Sequence, residues 1–213
     1  MSKIFQIGFN KTATTSLYWL FINSGHSALH SSGRRARKKG HAAVKRVHPQ
    51  IQIHHNILAG LPPVQGLDDF EAFFDMEYDF PRNGINLENF KFYRQFAEAY
   101  PNAKFILNTR EKDDWLRSRA RHQDGDYLGR TMVRLGLTEK QALQHWADDF
   151  DRHHDAVNEY FLTQQGRIFE FKLGETSISE LVDFCQPQFQ IDSDRWGEAR
   201  VTDKVHAKKG WAA

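Results

Sequence analysis

The stretch that most limits what this chain can fold into is residues 4–22. An apolar run, Ile4-Phe5-Gln6-Ile7, leads into Gly8-Phe9-Asn10-Lys11-Thr12-Ala13-Thr14-Thr15-Ser16 and then into Leu17-Tyr18-Trp19-Leu20-Phe21-Ile22. That order reads as buried strand, polar loop, helix, the opening unit of a layered α/β fold. The loop holds one glycine, one lysine and four hydroxyl side chains within nine residues. Backbone N–H groups at a helix start, with hydroxyls and an ammonium beside them, form an anion site. Capping alone requires fewer hydroxyls. A nucleotide's phosphate or phosphosulfate group is the anion such a loop suits.

The rest of the chain continues the alternation of strand and helix. Thr14 or Thr15 is expected to cap the first helix, which ends near Asn23 or Ser24 before Gly25. A short strand is expected over 26–30, a helix over 48–60 and a strand over 70–76 that ends in an acid. Asn83 or Asn86 is expected to cap a helix reaching Tyr100, with Leu87, Phe90, Tyr93 and Phe96 along one face. Ala103 to Arg110 is a clear strand, followed by a helix over 113–122. Thr138-Glu139-Lys140-Gln141 is a capping box that opens a long helix. A strand over 167–171 and a helix over 177–185 complete the pattern. The expected architecture is one domain over 1–213, three layers α/β/α around a mostly parallel sheet of four to five strands. Residues 31–66 contain no clear strand and are expected to form a substrate-side insertion or cover; residues 192–213 are expected to form a polar tail with Trp196 and Trp211 as anchors.

Charge and composition narrow the function classes. The 213 residues carry 29 Lys+Arg against 27 Asp+Glu, too even a balance for wholesale nucleic-acid binding. The basic residues concentrate in Arg34-Arg35-Ala36-Arg37-Lys38-Lys39 and continue to Lys45 and Arg46, either a solvated face or a recruiting surface for an acidic substrate, a nucleotide or a membrane. Cys185 is the only cysteine, so an intrachain disulfide is impossible and a reducing compartment is expected. Neither a signal peptide nor a transmembrane stretch is expected, which points to a cytoplasmic protein.

Two motifs carry the chemistry. The first loop falls short of the pattern G-x-x-x-x-G-K-[ST], because Lys11 follows Gly8 by only three residues and no second glycine precedes it. The second motif is Arg110 at a strand end with Ser118 eight residues later in a helix. A guanidinium fork suits a phosphate; pairing with Glu111 or Asp113 at the surface is the other reading. Together, Gly8 to Leu17 resembles the 5′-phosphosulfate loop of PAPS-dependent sulfotransferases, and Arg110 to Ser118 resembles their 3′-phosphate motif. Residues 105–110 with Trp115-Leu116-Arg117-Ser118, and the strand ending at Asp75, are similar to the bacterial branch of that family, whose fold is P-loop NTPase-like. The resemblance covers roughly residues 3–165.

The resemblance implies a sulfuryl transfer from PAPS to a hydroxyl (less readily an amine) acceptor, giving adenosine 3′,5′-bisphosphate, with no metal required. Lys11 would stabilise charge on the bridging oxygen. Asn10, Thr12, Ala13, Thr14, Thr15 and Ser16 would join it around the phosphosulfate, and Arg110 and Ser118 would hold the 3′-phosphate. Ala13 stands where the family usually has glycine, and its methyl restricts φ. A general base is needed for the acceptor. Asp75 is the first candidate; Glu77, Asp79, His54 and His55 are alternatives. His145, Asp149 and His153 recur every four residues, as a polar helix stripe or a metal set. Lys208-Lys209-Gly210 resembles the family's basic 3′-phosphate stretch, or is a free basic terminus. Trp19, Phe80 and Tyr127 suit either an acceptor pocket or the core. The acceptor itself, whether small molecule, carbohydrate or lipid headgroup, is not encoded in any motif. A nucleotide-dependent kinase and a non-catalytic binder of nucleotides or other anions are the competing classes. A kinase should show the Walker glycine-lysine pair, and a simple binder would not need both motifs.

Overall fold

The computed structural model describes residues 2–31, 48–80 and 84–197. The basic run, Asn83, Trp211 and Lys208-Lys209-Gly210 lie outside these residues. Five strands form one parallel sheet: β1 (Ile4–Gln6), β2 (Ala28–His30), β3 (Ala72–Phe74), β6 (Lys104–Thr109) and β7 (Ile168–Lys172), in the order β2-β3-β1-β6-β7. The strand alternation sorts side chains to two faces. Phe5, Leu29, Phe73, Phe105 and Leu107 face one core; Ile4, Ala28, Ala72, Phe74 and Ile106 face the other. Helices α1 (Thr14–Asn23) and α7 (Ile178–Cys185) cover the second face. The first face is covered by α2 (Pro49–Leu58), α3 (Tyr93–Ala99), α4 (Lys112–Ala120), α5 (Asp126–Leu135) and α6 (Glu139–Phe161). The three-layer α/β/α architecture with a five-stranded sheet is the one expected.

This topology creates a crevice. The chain leaves β1 toward the second face through α1, but leaves β3 and β6 toward the first face. Neighbouring strands with opposite exits open a gap at their carboxyl ends, where open α/β sheets carry ligands.

Several local expectations change. Residues 86–100 do not form one helix: Asn86–Glu88 is a strand, β5, antiparallel to β4 (Glu77–Asp79), and α3 begins only at Tyr93 after a 3-10 turn. The apolar spacing after Leu87 is real, but cross-strand pairing with 77–79 claims its first residues. Neither Thr14 nor Thr15 caps α1; Ala13 is its N-cap and provides no side-chain hydrogen bond. The capping box predicted at Thr138 and Gln141 is present in full. Residues 48–66 are not an appendage only, since Ile53 and Val64 lie in the core. Trp196 anchors the start of the tail against Phe171, with ring centroids 5.6 Å apart.

Candidate functional site

The first loop is built before any ligand is considered. Gly8 is obligatory, because a Cβ there would lie 1.9 Å from the Asn108 carbonyl oxygen. Asn108, at the end of β6, accepts from the Gly8 N–H at 3.0 Å and donates to the Thr12 carbonyl at 3.0 Å. Gln6 donates to the Gly8 carbonyl and to Asn108 Oδ1, each at 2.5 Å, and accepts from the Asp75 N–H at 2.7 Å. A buried amide pair thus fastens the ends of β1, β3 and β6 together. The Thr12 hydroxyl is used within the loop: it donates to the Phe9 carbonyl and accepts from Asn108.

Lys11 and Ala13 both have φ of 67°. Left-handed residues in a tight loop turn N–H groups inward into an anion-binding concavity. The following turn of α1 adds N–H groups with no intrahelical acceptor, no acid accompanies them, and Thr14, Thr15 and Ser16 lie buried around them. The donor set fits an anion. Ala13 adopts this conformation at a cost of about 1–2 kcal/mol that a glycine would not incur.

Other strand ends close around the loop. Arg110, just past β6, donates from Nη1 to the Lys11 carbonyl at 3.4 Å, and its Nη2 lies 3.9 Å from Asp114 rather than beside Glu111 or Asp113. The Glu111 side chain instead caps α4 by accepting from the Asp113 N–H at 2.8 Å. Ser118 sits half-buried on α4. Asp75, immediately after β3, has φ of 51° and lies 3.7 Å from His30 Nε2; Thr15 Oγ1 and the same His30 nitrogen share a hydrogen bond at 3.3 Å. Burial lowers the Lys11 ammonium's pKa, the Asp75 carboxylate raises it and Arg110 lowers it further. Lys11 therefore lies within electrostatic reach of both.

The alternative acids and histidines are placed elsewhere. Glu77 is closed into the core by Arg119 and Tyr127. Asp79 is held by Arg130 and Arg134. His54 shares a hydrogen bond with Asn89 at 3.0 Å, and His55 is exposed on α2. Tyr127 is buried in the Arg119 cluster, whereas Phe80 meets Tyr78 edge-on with ring centroids 4.5 Å apart and Trp19 packs beside Tyr18. His153 donates to the Ile7 carbonyl at 2.7 Å and Asp149 pairs with Lys91 at 2.7 Å, so these two serve separate structural partners, and His145 is exposed. Among the described residues, no three His, Cys, Asp or Glu side chains are grouped to hold a metal, and no helix is long and apolar enough to cross a membrane.

Sequence reasoning missed four contributors: Gln6, Asn108, Arg119 and His122. Burial and the charges of Lys11, Arg119 and Arg130 push His122 down to about 4, so its ring is neutral at pH 7. His122 follows the C-cap of α4, so its approach to these charges shows only in the fold. A family model described as "Sulfotransferase domain" matches residues 3–146. No curated protein matches the chain.

Proposed function

The chain belongs to the sulfotransferase domain family, and we propose that it transfers a sulfuryl group from PAPS to an acceptor hydroxyl, releasing adenosine 3′,5′-bisphosphate. The observation that carries this reading is the meeting of two motifs about a hundred residues apart: Arg110 donates to the Lys11 carbonyl across the crevice. Two anion grips side by side match a donor with a phosphosulfate and a separate 3′-phosphate. ATP offers no partner for the second grip.

The chain's own groups would act as follows. The N–H groups of the loop and of the first turn of α1 hold the phosphosulfate, and Arg110 and Ser118 hold the 3′-phosphate. PAPS supplies the activated sulfuryl group. Asp75 accepts the acceptor's proton as the acceptor oxygen bonds to sulfur and the bridging S–O bond breaks. Lys11 stabilises the charge left on that bridging oxygen. Positioning and charge stabilisation suffice for such an in-line displacement. The acceptor approaches beside Asp75, and the basic run 34–46 is a candidate attraction for acidic acceptors. A cytoplasmic location fits the single buried Cys185.

Calorimetry tests the donor assignment. Adenosine 3′,5′-bisphosphate should bind, and Arg110→Ala should weaken it by roughly ten- to hundredfold, the value of a charge-assisted hydrogen bond. ATP binding as tightly as the bisphosphate would remove the 3′-phosphate role of Arg110 and Ser118.

A further inference from the structure

Arg119 is the least economical residue in the core unless it has a task beyond packing. It is 1% exposed and surrounded by the rings of Phe9, Trp115, Tyr127 and Trp146 at 4.9–5.5 Å. It pairs with Glu77 at 3.0 Å and donates to the Tyr127 hydroxyl at 2.8 Å. A buried ion pair like this is often no more stable than apolar residues of the same volume. What apolar residues could not do is reach the first loop. Arg119 Nη1 donates to Asn10 Oδ1 at 2.7 Å, and Trp115 Nε1 donates to the Asn10 carbonyl at 3.0 Å. Both donors belong to α4, the helix that carries Ser118. Asn10 directly precedes Lys11, whose left-handed φ of 67° must be imposed from outside the residue.

We infer that Arg119 is a positioning residue that couples the two phosphate grips: a 3′-phosphate held at Arg110 and Ser118 fixes α4, and through the Arg119–Asn10 bond fixes Lys11 over the phosphosulfate. The coupling rests on the donor reading proposed above. It makes the donor's two anionic groups bind cooperatively, so a nucleotide lacking the 3′-phosphate loses more than that phosphate's own contacts. By linkage the effect is reciprocal.

A ligand cycle measures it. Dissociation constants for adenosine, adenosine 3′-phosphate, adenosine 5′-phosphate and adenosine 3′,5′-bisphosphate give the factor by which each phosphate improves affinity with and without the other. In the wild-type chain the 3′-phosphate should improve affinity about tenfold more when the 5′-phosphate is present, within the usual range of coupling. In Arg119→Met, which keeps volume but loses the bond to Asn10, the factor should fall to about one. Asn10→Ala cuts the same link at the loop while leaving the Arg119–Glu77–Tyr127 cluster whole, so it answers the question if Arg119→Met does not fold. A residue with only a structural role would change melting temperature and leave the factor alone. The same factor in wild type and both variants, or a wild-type factor of one with both phosphates contributing, overturns the coupling. If neither phosphate improves affinity in the wild type, the donor reading itself fails.

Discussion

Asp75 and Glu77 stand two residues apart, and in an unbroken strand they would share a face. Asp75 instead keeps 17% of its side chain exposed beside Lys11, while Glu77 keeps 2% and is enclosed by Arg119 and Tyr127. The left-handed turn at Asp75, between β3 and β4, separates them. Each cluster contains a carboxylate, a cation and an aromatic or imidazole ring. At the crevice the carboxylate stays partly exposed and within electrostatic reach of the lysine; in the core it is enclosed and paired with Arg119 and Tyr127. Residue type does not distinguish the two clusters, but exposure does.

The largest effect that would sharpen this contrast is on turnover. Asp75→Asn should reduce kcat by about 10²–10⁴-fold, the contribution of a positioned general base, with little change in melting temperature. An active Asp75→Asn enzyme would move the proton acceptor elsewhere. The same substitution also reports on Lys11. Because the carboxylate raises the ammonium's pKa, its loss should shift the alkaline limit of bisphosphate binding to lower pH.

Glu77→Ala should act first on stability. It leaves Arg119 buried without its carboxylate and should cost about 3–5 kcal/mol of stability, read by denaturant titration. A Glu77→Ala protein as stable as wild type would dissolve the distinction between the two clusters.

His153 gives a smaller effect with a definite pH window. Burial pushes it from 6.5 down to about 4, where it is neutral and donates to Ile7. Its folded-state value lies below its unfolded one, so the unfolded chain binds more protons between these limits. The stability it contributes is complete above pH 6.5 and is lost as pH falls toward 4, about 3 kcal/mol in all. His153→Gln should flatten that part of the stability profile. An equal acid loss in wild type and variant would show that His153 is not held neutral.

The smallest effect concerns Ala13. Ala13→Gly should stabilise the loop by about 1 kcal/mol, seen as a modest rise in melting temperature, since glycine adopts φ of 67° without strain. A fall in melting temperature would mean that the alanine methyl contributes packing worth more than the strain.

Much of this was legible in the amino-acid order. The alternation of apolar runs and helix signals specifies the layered α/β fold, because burial period and chain punctuation are local properties. The anion loop and Arg110 were legible for the same reason: hydroxyls, glycine and lysine bunch together in sequence. The hairpin of β4 and β5 was not, since Asn86–Glu88 becomes a strand only by pairing with residues 77–79. Gln6, Asn108 and Arg119 were equally hidden, because a buried amide or guanidinium shows its purpose only when distant partners meet it. The sequence alone determined that two motifs resembling the family's phosphate grips are present. Only the tertiary structure decided that they touch, that Asp75 and not Glu77 faces the lysine, and that Asn10 is held by the helix bearing Ser118. Those outcomes depend on where strand ends converge, which is a property of the whole packed sheet.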